Sequence, residues 1–170
     1  MKLEKYIRTV HNFPKKGISY KDITPLLQNA DATKEVVKKL AEPLKNQHIT
    51  KVVGIESRGF LFGMLLASEL NAGFIPIRKP GKLPFDVESQ SYDLEYGTDQ
   101  IEIHQDALNT SDRIVIHDDV LATGGTAQAA CKLIDKLGGN IIELNFLIEL
   151  NDLKGKEKII EYPYRSLLNY

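Results

Sequence analysis

A chain of 170 residues, 42% apolar and 26% charged, is long enough for one domain with a sizeable core and ordinary for a globular protein. Lys and Arg number 22 against 23 Asp and Glu, a net charge of -1 that argues against nucleic-acid binding by bulk charge but leaves room for a local basic site. The lone Cys131 has no partner for an internal disulfide, and no Cys/His spacing resembles a zinc site, which suits a reducing cytoplasm. The opening MKLEKYIRTV has no apolar core and reads as no signal peptide, and the longest apolar run, Phe60 to Ala67, is too short for a membrane span. Without repeats or a linker, residues 1–170 are expected to form a single domain.

Val36, Val37, Leu40, Ala41 and Leu44 recur at helical spacing, so an amphipathic helix is expected over 31–45, kinked or ended by Pro43. Lys51 to Glu56 reads as a short buried strand, Phe60 to Leu70 as an apolar helix with Gly73 as a left-handed cap, and Phe74 to Ile77 as the next strand. Residues 79–100 are polar, with Gly, Pro and aromatic residues, and suggest a long loop or protruding β-ribbon. Arg113 to Ile116 is a strand expected to end at residue 117, and 126–137 is a helix closed by Gly138-Gly139. Ile141 to Leu150 is a long apolar strand and Lys158 to Ile160 a candidate edge strand. Apolar strands alternating with helices predict an α/β fold, a mostly parallel sheet flanked by helices.

The stretch VIHDDVLATGGTAQAA, beginning at Val115, holds the strongest chemical signal. Ligands in such folds gather at the carboxyl ends of strands, where Asp118 and Asp119 are expected. Ala122-Thr123-Gly124-Gly125-Thr126 then leads into a helix N-terminus, whose free amides and dipole favour a phosphate. The glycines let the backbone curl around it, and Thr123 and Thr126 add hydroxyls. Carboxylates would repel that phosphate directly, but they suit the 2′- and 3′-hydroxyls of a sugar attached to it. The stretch therefore reads as a ribose 5-phosphate cradle; it is neither a Walker A loop nor a Gly-x-Gly-x-x-Gly fingerprint.

Val115 to Thr126 resembles the phosphoribosyl-pyrophosphate motif of the type I phosphoribosyltransferases. Four further segments resemble the adenine-specific members of that family: Phe13 to Leu26, Glu56 to Gly63, Arg78 to Pro84 and Ser91 to Gly97. The similarity runs from about residue 5 to the end of the chain, with the motifs in family order. It implies the type I phosphoribosyltransferase fold with a flexible β-ribbon hood loop at about 79–100, and an N-terminal base-binding segment at about 1–30. It also implies transfer of the 5-phosphoribosyl group from phosphoribosyl pyrophosphate to adenine, giving AMP and pyrophosphate in purine salvage. The expected setting is a cytoplasmic homodimer that binds neither nucleic acid nor membrane. Because the leaving group is polyanionic, Mg²⁺ is expected to bridge pyrophosphate and ribose oxygens, with no protein side chain as a direct ligand.

Individual residues follow. A guanidinium at Arg58, between a strand end and a helix start, suits a pyrophosphate, although three residues alone read equally as surface; the resemblance places Ser57 and Arg58 at the pyrophosphate, often with a strained peptide. Arg78, Lys79 and Lys82 read alone as a solvated face and, by resemblance, as a clamp on the same group. Ile18, Ser19, Tyr20 and Lys21 form the candidate adenine pocket: Tyr20 stacks, and backbone groups read the base edge. Family members usually have Phe and Arg at these last two positions, and Lys21 lacks the bidentate fork. Glu95, on the ribbon, is implied to handle a purine proton. His117, where an aliphatic residue is commoner, is expected to be a satisfied core histidine. Rival readings are transfer to another base and a regulator that binds phosphoribosyl pyrophosphate without catalysis.

Overall fold

The computed structural model describes residues 1–93 and 97–170. In chain order, β1 (Arg8–His11) and β2 (Ser19–Asp22) form an antiparallel hairpin, followed by the single turn α1 (Thr24–Leu27) and the helix α2 (Ala30–Ala41). Then come β3 (Lys51–Ile55), α3 (Gly59–Glu69) and β4 (Gly73–Ile77). A second antiparallel hairpin, β5 (Val87–Asp93) and β6 (Thr98–His104), is followed by β7 (Arg113–Leu121), α4 (Gly125–Lys136), β8 (Asn140–Glu149) and β9 (Tyr164–Asn169). Five strands make one sheet in the order β4-β3-β7-β8-β9, every pair of them parallel.

The pleat divides the core between the two faces. Val53, Ile114, Ile116 and Phe146 pack with α4, whereas their neighbours Val52, Val115 and Leu147 pack with α2 and α3. A strand covered on both sides needs apolar residues at successive positions, which is why β3 and β8 are legible as continuous runs. Helix α2 starts where the Asn29 side chain accepts from the Ala32 amide at 2.9 Å. It gives way at Glu42 to a short 3-10 turn that contains Pro43, as the proline requires.

Four expectations are corrected. First, β7 runs on to Leu121, so Asp118 and Asp119 lie inside a strand rather than after it. Pairing with β8 extends to Leu121↔Glu149 and sustains the strand, whereas the last pair with β3 is Gly54↔His117. Second, Lys158–Ile160 is no strand: Gly155–Ile159 is a 3-10 turn, and the sheet edge is Tyr164–Asn169. That strand is paired on one side only and needs no apolar run. Third, regular ribbon pairing begins later than residue 79 and continues past 100. Ile101 and Ile103 of β6 are buried in the α4-side core, so the base of the ribbon is part of the fold. Fourth, Asn71, not Gly73, adopts the left-handed backbone after α3 (φ 53°).

Candidate active site

Because β7 outruns β3, residues 118–121 have an open edge facing the ends of β3 and α3. A cavity of about 460 Å³ opens there, and its walls include Ile18 to Lys21, Glu56 to Arg58, Asp118, Asp119 and Leu150. The two carboxylates diverge, as successive strand residues must. Asp118 also lines the smaller concavity of the Gly-Thr loop, and Asp119 reaches towards α3. The Arg58 Nε stands 2.9 Å from Asp119 Oδ2, in ion-pair contact, but that oxygen receives no hydrogen bond and is buried. Asp118 Oδ1 accepts from the Asp119 amide at 2.9 Å. Burial, then the charge of Asp119, pushes Asp118 well above the usual carboxylate range. Burial also raises Asp119, against the pull of the Arg58 guanidinium.

The Gly-Thr loop forms a concavity lined by Ala122 to Ala127, Asp118 and Val120. Gly124 is its pivot: it sits at the N-cap of α4 with φ 78°, and no side chain caps the helix. A methyl group at Gly124 would fall on the carbonyl oxygen of Gly155. One at Gly155 would fall on the carbonyl oxygen of Ala122, 2.9 Å from the Gly124 nitrogen. The segment 151–159 therefore backs the loop through two bare glycines, and Gln128 Nε2 donating to Lys158 O at 3.0 Å fastens it. The N-terminus of α3 is equally close to the carboxylates: a methyl at Gly59 would lie 2.9 Å from Asp118 Oδ1.

On the base side, Tyr20 hydroxyl and Arg58 Nη1 form a short hydrogen bond, with the guanidinium carbon 5.1 Å from the ring centroid. Arg58 thus touches both the hairpin and Asp119. Tyr20 faces the site rather than the core, and the edge of the exposed Phe13 meets its ring at 5.2 Å. Leu150, where β8 ends, supplies an apolar wall to the same cavity.

The basic cluster converges on Glu56. Arg78 Nε lies 3.3 Å from its Oε2, the Lys79 amide donates to the same oxygen at 2.8 Å, and Lys82 Nζ bonds Oε1. Burial raises Glu56, but Lys82 and the Lys79 amide outweigh it and hold the carboxyl below its ordinary value. Arg78 and Lys82 are thereby held beside Ser57, and the Glu56–Ser57 peptide is cis. The Lys79 ammonium turns the other way and donates to Tyr92 Oη at 2.9 Å and to Asp99 of the ribbon.

Of the residues singled out in the sequence, the fold brings 18–21, 57–58 and 118–126 to one connected surface, with Arg78 and Lys82 at its rim. Glu95 lies outside the described residues. Sequence reasoning missed Glu56, Leu150 and Gly155; only Glu56 had a usable signal, a carboxylate at a strand end near three cations. His117 is buried as expected but half satisfied: Nδ1 is 2.7 Å from Asn145 Oδ1, and Nε2 has no partner. Burial holds it at about 4. Among the described residues no group of three His, Cys, Asp or Glu is placed to hold a metal ion. The arrangement can hold a phosphate, two vicinal hydroxyls and a planar base, with cations beside the junction between them.

The phosphoribosyl transferase domain model matches residues 19–169. An adenine phosphoribosyltransferase of Flavobacterium johnsoniae is 62% identical over 170 residues, covering 100% of both chains. The crystal structure of an adenine phosphoribosyltransferase from Thermoanaerobacter pseudethanolicus has a TM-score of 0.96 at 47% identity, covering 99% of this chain and 98% of that one. One from Saccharomyces cerevisiae, complexed with adenine and an imino-altritol bisphosphate, has a TM-score of 0.92 at 39% identity, covering 96% and 95%.

Proposed function

From the premise that the chain belongs to the phosphoribosyl transferase family, we propose how its residues share the transfer of the 5-phosphoribosyl group from phosphoribosyl pyrophosphate to adenine, yielding AMP and pyrophosphate. The loop 122–126 holds the 5′-phosphate with backbone amides at the start of α4, and Thr123 and Thr126 add hydroxyl donors. Asp118 and Asp119 accept from the ribose hydroxyls. When C1′ loses its bond to pyrophosphate, positive charge builds on the ribose ring, and the two carboxylates lie where they oppose it. Ser57, Arg58, Arg78 and Lys82 receive the departing pyrophosphate. Adenine sits between Tyr20 and Leu150, its edge read by backbone groups of Ile18 and Ser19. Its N9 lone pair forms the new bond to C1′, the electron pair of the broken C–O bond leaves with pyrophosphate, and one purine proton passes to Glu95.

When bound, Mg²⁺ would neutralise charge on the leaving group. The carboxylates of Glu56, Asp118 and Asp119 line the cavity in which it would sit. A homodimer in the cytoplasm completes the reading. Its support is α3, mostly apolar and yet exposing Leu61, Met64 and Leu65. No described helix is long and apolar enough to cross a membrane, and the one cysteine is free and buried.

The single observation behind the assignment is the cavity that joins the hairpin, Arg58 and the two aspartates and borders the phosphate loop. The test supplies phosphoribosyl pyrophosphate and Mg²⁺ with adenine, hypoxanthine, guanine or xanthine in turn and identifies the nucleotide by chromatography. AMP from adenine is the expected product. No nucleotide from any base would favour a binding protein without catalysis, and preferential use of a 6-oxopurine would overturn the choice of base.

A further inference from the structure

The hairpin β1–β2 presents Ile18 to Lys21 to the cavity, yet it is bonded to no strand of the five-stranded sheet. A two-stranded hairpin is marginally stable on its own in water, so its position depends on what grips it. On one flank Arg58 holds Tyr20. On the other, the Lys21 ammonium stands 4.2 Å from the centroid of the Tyr170 ring. It also donates to Thr9 Oγ1 at 3.0 Å, across the hairpin. The ring is a firm base for that contact. The Tyr170 amide donates to Glu149 O at 2.9 Å, and the Tyr170 carbonyl accepts from the Asn151 amide at 2.8 Å, so its backbone is fixed beyond the end of β9. A second cavity of about 500 Å³ lies at this contact; Ile18, Ser19, Lys21 and Leu150 line both it and the first cavity. The ammonium is thus engaged by an aromatic face and a hydroxyl.

We propose that Tyr170 is a positioning residue for base recognition: its ring, acting through Lys21, holds the hairpin so that Ile18 to Tyr20 sit over the adenine site. This rests on the reading of residues 18–21 as the base site, and it gives Lys21 a task other than pyrophosphate binding. The contact is cation–π, so the face of the ring matters and the hydroxyl does not.

The experiment compares Tyr170→Leu and Tyr170→Phe. Tyr170→Leu is expected to raise KM for adenine about two- to fivefold, the factor a partly exposed cation–π contact supplies. KM for phosphoribosyl pyrophosphate, kcat and Tm should stay at the parent values, and Tyr170→Phe should retain the parent adenine KM. Lys21→Met should raise the adenine KM at least as much as Tyr170→Leu, and the double variant should be no worse than Lys21→Met. Hydrogen exchange gives a readout independent of activity: in Tyr170→Leu the amides of Arg8–His11 and Ser19–Asp22 should exchange faster, while those of Arg113–Leu121 do not. Parent-like exchange in the hairpin overturns the proposal. A rise in KM for both substrates with a lower Tm overturns it as well, because Tyr170 would then serve the sheet edge alone. Additive losses in the double variant separate Tyr170 from Lys21 and have the same effect. Faster hairpin exchange with an unchanged adenine KM would leave the hairpin docked by Tyr170 but place the base elsewhere, so failure of the base-site assignment is distinguishable from failure of the docking contact.

Discussion

Gly155→Ala is the most informative single change, because Gly155 meets no substrate itself and acts only by backing the phosphate loop. Gly155 does not have a positive φ, so alanine brings no backbone strain, only a methyl group. That methyl would fall on the Ala122 carbonyl oxygen, 2.9 Å from Gly124 N and 3.0 Å from Ala122 C. Restoring ordinary contact near ~3.5 Å from that oxygen takes a shift of more than about an ångström. The two bodies that can yield are the 151–159 segment and the loop itself. Overpacking of this kind costs ~1–3 kcal/mol, which for a chain of this size lowers Tm by about 2–12 °C. If the loop yields, its amides leave the 5′-phosphate, and losing one charge-assisted hydrogen bond weakens AMP binding by ~1.5–3 kcal/mol, about ten- to 150-fold. Calorimetry with AMP on protein shown to be folded measures the second effect, and a thermal melt the first. Both at parent values would mean that Gly155 does not back the loop; a lowered Tm with parent AMP affinity would mean that the 151–159 segment yields and the loop does not depend on it.

Four further outcomes are expected. Asp119→Asn should reduce kcat/KM for phosphoribosyl pyrophosphate by ~1–3 kcal/mol of transition-state stabilisation with the fold intact; an unchanged kcat/KM removes Asp119 from the sugar site. Because burial and the neighbouring charge of Asp119 raise Asp118, the same substitution should also move the acid limb of the pH–rate profile to lower pH; a limb that stays put rules out that coupling. Glu95→Gln should lower the single-turnover rate of AMP formation, with general acid–base effects typically ~10²–10⁴-fold, and leave AMP affinity near the parent value; the parent rate would dismiss it as the proton acceptor. His117 is held at about 4 when folded. The unfolded chain, at about 6.5, therefore binds more protons between those values, and stability falls as pH drops through that window, by about 2 kcal/mol from pH 7 to 5. His117→Gln should flatten that slope in denaturant titrations, and an identical slope would assign it to other groups.

Legibility of the fold tracked how each residue is buried. β3 and β8 lie between two helical layers, so their apolar runs announce them. The Gly-Thr loop was legible because positive φ and a free helix N-terminus need particular residue types. The overhang of β7 was not: Asp118 and Asp119 look like a strand end, and what keeps them in a strand is backbone pairing with β8, which leaves no mark on side-chain pattern. The same holds for β9, whose pairing is one-sided, and for Gly155, whose small size matters only because Ala122 and Gly124 lie against it in space. Glu56 stood inside a quoted motif, but its role depends on three partners that meet it only after β3 and β4 align.

Glu56 has a consequence for what can enter the site. Arg78 and Lys82 do not wait as bare cations in water; a buried carboxylate already holds them. An arriving anion must therefore win an exchange of one anionic partner for another. A singly bridging anion gains little from that trade, since it replaces contacts of similar strength. Pyrophosphate, with two linked groups of high charge density, can engage the freed cations and Arg58 together, and the advantage grows with each contact it closes at once. A rim so built is expected to discriminate by valence rather than by attraction alone, with pyrophosphate competing for Arg78 and Lys82 better than chloride or inorganic phosphate.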